Sequence, residues 1–214
     1  MNGVSQGVFY DGTAQDLLDV PGNAVVKSWA TGRRYTTING TGDSMTGNVN
    51  PAPSKPAALL SPNGTYYARS KPQYELISSV VNVLDRGILN DGTGDQAAAI
   101  NTLLSSSIGS VIFFPAGVYV VKSTVTIPKG SIVVGAGWSQ IMASGSYFQN
   151  EKAPKVVVKV GNAGDQGSVE LSDLLFTVQG PTAGAVLMEW NIHESTQGSA
   201  AMWDCHFRVG GAKG

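Results

Sequence analysis

Hydrophobic positions gather late in the chain, between Gly109 and Gly211, as a train of short runs each broken by a glycine or proline. The runs are Val111–Phe114, Val118–Val121, Thr124–Pro128, Ser131–Val134, Gln140–Ala143, Val156–Val160, Val169–Val178, Ala185–Ile192 and Met202–Val209. Val, Ile, Phe, Thr and Trp dominate them, side chains that suit a pleated, half-buried surface. Several alternate with period two: Val125 with Ile127, Val156 with Val158 and Val160, Val186 with Met188, Trp190 and Ile192. That period puts each set on one face of a strand. Short strands at close spacing fit a sandwich, a barrel or a solenoid. From Val111 onward, however, no Asn-Gly or Asp-Gly pair couples two runs into a hairpin. The expected class is all-β, a right-handed parallel β-helix whose inward residues stack into one core.

The rest of the chain reads differently. Met1 to about Pro72 is weakly patterned, with Val8–Tyr10, Ala24–Trp29 and Tyr35–Ile38 as candidate short strands. Between Asp43 and Lys71 the composition shifts to Pro, Ser, Asn and Gly, so residues 1–72 are expected to be a connector and 73–214 the start of the solenoid. Val80–Leu84 is a further short strand, followed by the loop Asn90-Asp-Gly-Thr-Gly-Asp95. The spacing then predicts a helix over Gln96–Leu104, with Asp95 at its N-cap and Ala99, Ile100, Leu103 and Leu104 on its apolar face. One helix ahead of a strand train suits a cap over the first coil.

Composition narrows the function. Charged residues make up 14% of the chain, the formal net charge is −1, and Lys and Arg never cluster. This argues against nucleic acid as a partner. No apolar run reaches membrane-spanning length, and Met1–Gly7 lacks the basic and apolar regions of a secretory signal. Cys205 is the single cysteine; it has no disulfide partner and reads as a small buried hydrophobe. His193 and His206 lack a ligand at metal spacing, the Gly-x-Gly of Val134–Gln140 is not followed by a helix pattern, and Asn90–Asp95 lacks the glutamate of an EF-hand loop. No metal and no cofactor are expected.

Candidate chemistry lies on the last runs. If Trp203, Cys205, Phe207 and Val209 point inward, then Asp204, His206 and Arg208 share the outward side. On the preceding run, Glu189 and Asn191 fall outside by the same alternation, with Glu170 and Thr177 on the same side one coil earlier. Stacked about 4.8 Å apart, such residues make a polar ladder able to hydrogen-bond sugar hydroxyls, with Trp203 or Trp190 stacking on a pyranose. The plainer reading is a solvated face with cross-strand ion pairs such as Glu189 with Arg208.

Asn90–Ile100 looks like a divergent form of the Gly-Asp-Gly-x-x-Asp-Asp-Thr-x-Ala-Ile entry motif of pectate-lyase-like β-helices. Val111–Val120 and Ser123–Pro128 are similar to the first coil of that superfamily. Ile132–Met142, Pro154–Gly161, Leu174–Pro181 and Met202–Gly211 resemble the fungal exo-β-1,3-glucanases of glycoside hydrolase family 55. That resemblance implies a secreted, extracellular enzyme of two side-by-side β-helices that cleaves β-1,3-glucan from the non-reducing end. It also implies inverting chemistry, with two carboxyl groups roughly 6.5–9.5 Å apart. On this reading the chain is an internal fragment, and its partner is the other β-helix of its parent. The general acid matches no position here. Glu189, Asn191, Trp203, Asp204, His206 and Arg208 are then expected to line the substrate site, and the fragment alone to be inactive. Two rivals stand beside it. One is a non-catalytic glycan-binding β-helix of tailspike or adhesin type; the other is a calcium-dependent polysaccharide lyase, for which only Asp173 and Asp204 are candidate ligands.

Overall fold

Residues 26, 28–48, 54–74, 77 and 79–210 are described by a computed structural model of the chain. It divides into two compact units, Met1–Tyr67 and Ala68–Gly214. The division falls a few residues before the one expected at Pro72, so that Ala68–Pro72 belongs with the strand train.

In the first unit, β1 (Ala30–Arg34) pairs antiparallel with β2 (Asp43–Gly47), Ala30 opposite Gly47 and Arg34 opposite Asp43. The Thr31 and Thr46 hydroxyls meet across the pair at 2.9 Å. Tyr35–Ile38, expected as strand, belongs to the loop between the two. Val8–Tyr10 lies outside the described residues.

The second unit is built of turns of chain laid one on the next. β3 (Val80–Asn82) precedes the helix α1 (Ala97–Ser106), and then come β4 (Val111–Phe113), β5 (Gly117–Val121) and β6 (Val125–Ile127). The next turn holds β7 (Ile132–Ala143), β8 (Lys155–Val160) and β9 (Gln166–Gly167). Above it lie β10 (Val169–Val178), β11 (Ala185–Trp190) and β12 (His193–Glu194), and β13 (Ala200–Trp203) with β14 (His206–Phe207) begins another. Every ladder among the described strands of this unit is parallel. The first sheet runs β3-β4-β7-β10-β13, with β5 on β7 and β14 on β10; the second runs β6-β8-β11, and β9 pairs with β12.

Parallel pairing in register stacks like on like. Val81, Ile112, Val133, Leu171 and Met202 form one inward column. Tyr119, Ile141, Phe176 and Phe207 form a second, in which the rings of Phe176 and Phe207 stack at 5.2 Å. Val125, Val158 and Met188 form a third. Side chains in the middle of a column are fully buried, whereas its last members are not: Phe176 is 0% exposed and Phe207 44%.

The other end of the core is closed by α1. Ala97, Ile100, Leu103 and Leu104 are its buried residues; Ala99, expected on that face, is exposed and Ala97 takes its place. The N-cap is Gln96 rather than the expected Asp95, which lies one residue earlier; the Asp95 carboxylate still accepts from the Ala97 N–H at 3.1 Å and from the Lys122 N–H at 3.0 Å. Asn101 reaches from the helix to β6: its Oδ1 accepts the Thr126 N–H at 2.7 Å and its Nδ2 donates to the Thr124 carbonyl at 2.9 Å. Strand-edge groups that water or another chain would otherwise take are thus paired by one side chain.

Candidate functional site

Between Ser172 and Leu174 the ladder of β10 on β7 shifts register: Ser172 faces Val134, but Leu174 faces Ser139. Gly135, Ala136, Gly137 and Trp138 therefore bulge opposite the single residue Asp173. Gly135 is required there, since a Cβ would collide with the Asp173 carbonyl. Asp173 itself sits at φ +58°, and Asp204, at the same corner one turn on, at φ +52°. The left-handed region is unfavourable for most side chains, and Asp is among the few that tolerate it.

That corner resets the alternation along the last strand. Trp203 pairs with Ser172, on the side of Glu170 and away from the core column of Leu171 and Met202. Trp203 was expected to point inward with Cys205 and Phe207; it points outward, because Asp204 in the left-handed conformation interrupts the pleat. Beyond it, His206 faces the outward Leu175 and Phe207 the buried Phe176, while Cys205 packs against the core. Burial pushes the Cys205 thiol up.

An extended segment, Ala68–Tyr74, lies on this outward face. Arg69 pairs with Glu170 and places its guanidinium 5.1 Å from the ring centre of Trp203, whose Nε1–H donates to the Arg69 carbonyl at 3.2 Å. Tyr74 donates its hydroxyl to Glu170 Oε2 at 2.6 Å. Burial first, and then this bond, raise the Tyr74 hydroxyl well above its ordinary range. Lys71 Nζ donates to Asp173 Oδ1 at 2.6 Å and to Asp204 Oδ2 at 2.9 Å. The bond to Asp173, then that to Asp204, hold the ammonium above its ordinary value, and the Lys71 bond holds the Asp204 carboxyl below its own. Between Glu170 and Asp173, Ser172 is 1% exposed, and its Oγ has no hydrogen-bond partner among the described residues.

The six residues singled out in the sequence fall into two groups. Trp203, Asp204, His206 and Arg208 belong to the edge of the first sheet. Glu189 is on β11 in the second sheet, opposite Lys159, and its Oε1 accepts from Asn191 Nδ2 at 2.7 Å. Asn191 Nδ2 also donates to the Gly161 carbonyl at 3.2 Å. The expected ladder joining Glu189 and Asn191 to Asp204 is therefore absent: β13 and β14 stack on β10, not on β11. Arg208 borders a groove of about 760 Å³ with Leu187, Met188 and Phe207.

Arg69, Lys71 and Tyr74 escaped the sequence reading: the first two lie in a stretch whose Pro, Ser and Gly content spelled connector, and Tyr74 just past its end. A faint signal existed: Arg69 and Lys71 are two residues apart, hence on one side of an extended segment. Asp173 and Asp204, weighed as calcium ligands, do come together, but the cation between them is the chain's own Lys71. Among the described residues, no three acidic, histidine or cysteine side chains gather in a way that could hold a metal ion.

Residues 80–197, more than half of the chain, match the family model described as rhamnogalacturonase A/epimerase, pectate lyase-like. A Penicillium expansum protein named non-secreted LysM effector LysM19 is 49% identical over 77% of this chain and 14% of its own length. A probable glucan endo-1,3-beta-glucosidase of Arthroderma benhamiae is 43% identical over 77% of this chain and 19% of its length. A glucan 1,3-beta-glucosidase of Cochliobolus carbonum is 36% identical over 90% of this chain and 24% of its length. The chain thus spans a quarter or less of these relatives, and the resemblance to fungal β-1,3-glucanases is met.

Proposed function

From a chain that belongs to the pectate lyase-like family of rhamnogalacturonase A and the epimerases, we propose a role in β-1,3-glucan hydrolysis, as one part of a longer extracellular glycoside hydrolase. The observation that carries this reading is the similarity to proteins named as 1,3-beta-glucosidases, at 36–43% identity over three quarters or more of the chain. The turns are read as a right-handed parallel β-helix, and attack as inverting and from the non-reducing end.

The chemistry of the outward face supports binding rather than bond cleavage. A general acid must hold its proton at working pH. While the Ala68–Tyr74 segment is in place, Lys71 holds the Asp204 carboxyl below its ordinary value, the opposite of what a general acid needs. Asp204 and Trp203 are suited to contact sugar, and the general acid is assigned to a part of the enzyme outside this chain. His206 and Arg208 extend the same edge, whereas Glu189 and Asn191, on the second sheet, serve a separate contact.

The test is to titrate the 214-residue chain with laminari-oligosaccharides and with polygalacturonate while assaying for released glucose. Binding of the laminari-oligosaccharides without turnover is expected. Binding of polygalacturonate in their place overturns the reading, as does indifference to both. The Penicillium relative is named an effector rather than a hydrolase, and a β-helix without catalysis is therefore the second reading. Failure of the full-length protein to release glucose from laminarin favours it.

A further inference from the structure

Most of the outward face is held by the chain itself. Glu170 accepts from Tyr74 and Arg69, Asp173 and Asp204 share Lys71, and Arg69 covers the Trp203 ring. Each of these contacts has the form of a contact to a sugar. The Tyr74 hydroxyl donates to a carboxylate as a sugar hydroxyl does, Lys71 puts two donors on two aspartates, and Arg69 takes the indole face on which a pyranose stacks.

Two groups at the same corner are left over. Trp138, on the bulge one turn below Asp173, is 66% exposed. Ser172 Oγ, buried on the outward side of β10 between Glu170 and Asp173, lacks a hydrogen-bond partner. A buried hydroxyl without a partner is uncommon and points to a group that completes it. Turns lie about 4.8 Å apart, so Trp138 and Trp203 stand on levels roughly 10 Å apart with Asp173 between them.

We infer that this corner is a binding strip for a neutral saccharide, with Trp138 as its open platform and Arg69, Lys71 and Tyr74 as a built-in competitor that the sugar displaces. The ligand is neutral because lifting the segment leaves Glu170, Asp173 and Asp204 facing it: carboxylates accept hydroxyl hydrogens and repel uronates. Displacement is feasible because ion pairs between partly exposed side chains are individually weak. The choice of β-1,3-glucan as that saccharide rests on the function proposed above; the strip itself does not.

The experiment compares wild type with Trp138→Ala, Lys71→Met and Arg69→Met. Laminarihexaose is the probe, cellohexaose the second neutral glycan, and amide exchange of residues 68–74 is followed alongside. Trp138→Ala is expected to weaken laminarihexaose binding roughly tenfold. Lys71→Met and Arg69→Met are each expected to strengthen it roughly threefold, and bound sugar to speed exchange over 68–74. If all variants bind laminarihexaose as wild type does, the strip is wrong and the glucanase reading stands. If only cellohexaose binds, and follows the expected pattern across the variants, the strip stands and the β-1,3 assignment falls. Unchanged exchange over 68–74 on saturation overturns the displacement. Near-ultraviolet circular dichroism of each variant confirms that its core is intact, and the surface variant Trp138→Ala keeps the test decisive should either segment variant misfold.

Discussion

Phe176 and Phe207 occupy the same column one turn apart, yet their surroundings differ. Phe176 has a neighbouring turn on both sides and is fully buried; Phe207 is covered from below only. Phe176→Ala should cost about 3–5 kcal/mol, the range for emptying a packed aromatic site. Phe207→Ala should cost no more than about 1–2 kcal/mol, because much of its surface is already in water. Urea midpoints for the two variants check this, and equal losses would mean that Phe207 is covered in solution. At this scale alternation in the sequence located most inward side chains, Cys205 and Phe207 among them. It failed at Trp203, because one aspartate at positive φ resets the pleat and nothing in the residue type announces that an Asp takes the left-handed conformation, and at Val209, expected inward but 86% exposed.

The elements were legible where glycine and proline punctuate them, and β5, β6, β8 and β10 match the expected runs to within a residue or two. The segment Ala68–Tyr74 was not legible. It has no periodicity, and its partners lie about a hundred residues away, as Arg69 does from Glu170. Its hold on the sheet has a pH signature. Asp204, lowered from an ordinary 3.8, contributes stability that is present above that value and lost as pH falls through its folded pKa. Lys71, raised from 10.5, contributes stability that is complete below that value and lost as pH rises through its folded pKa. Amide exchange over 68–74 is therefore expected to be independent of this pair across the neutral range, and to show extra opening under acid below 3.8 and base above 10.5. Opening that instead tracks histidine titration near pH 6–7 would contradict the assignment. Helix α1 has its own test. Asn101→Ala removes the acceptor of the Thr126 N–H and the donor to Thr124, leaving strand-edge groups unpaired at a cost of about 1–3 kcal/mol, read from thermal unfolding.

For the molecule as a whole, the scarcity of hairpin signals was the informative feature. Strands that cannot turn back at once must travel round before they pair, and the ladders of residues 68–210 are parallel. What stayed hidden was which strands share a sheet, since that depends on the length of each corner rather than on any residue's character. Hence Glu189 on β11 and Asp204, between β13 and β14, ended at different sheets. The corner opposite Asp173 carries a consequence beyond recognition. Four residues of one turn are accommodated there against one of the next, with the pairing resumed on both sides. Such a hinge point absorbs insertions and deletions without propagating an error into the columns. A homologue can therefore trade loops at this position while its interior stays unaltered, which makes it the natural graft site for altering specificity.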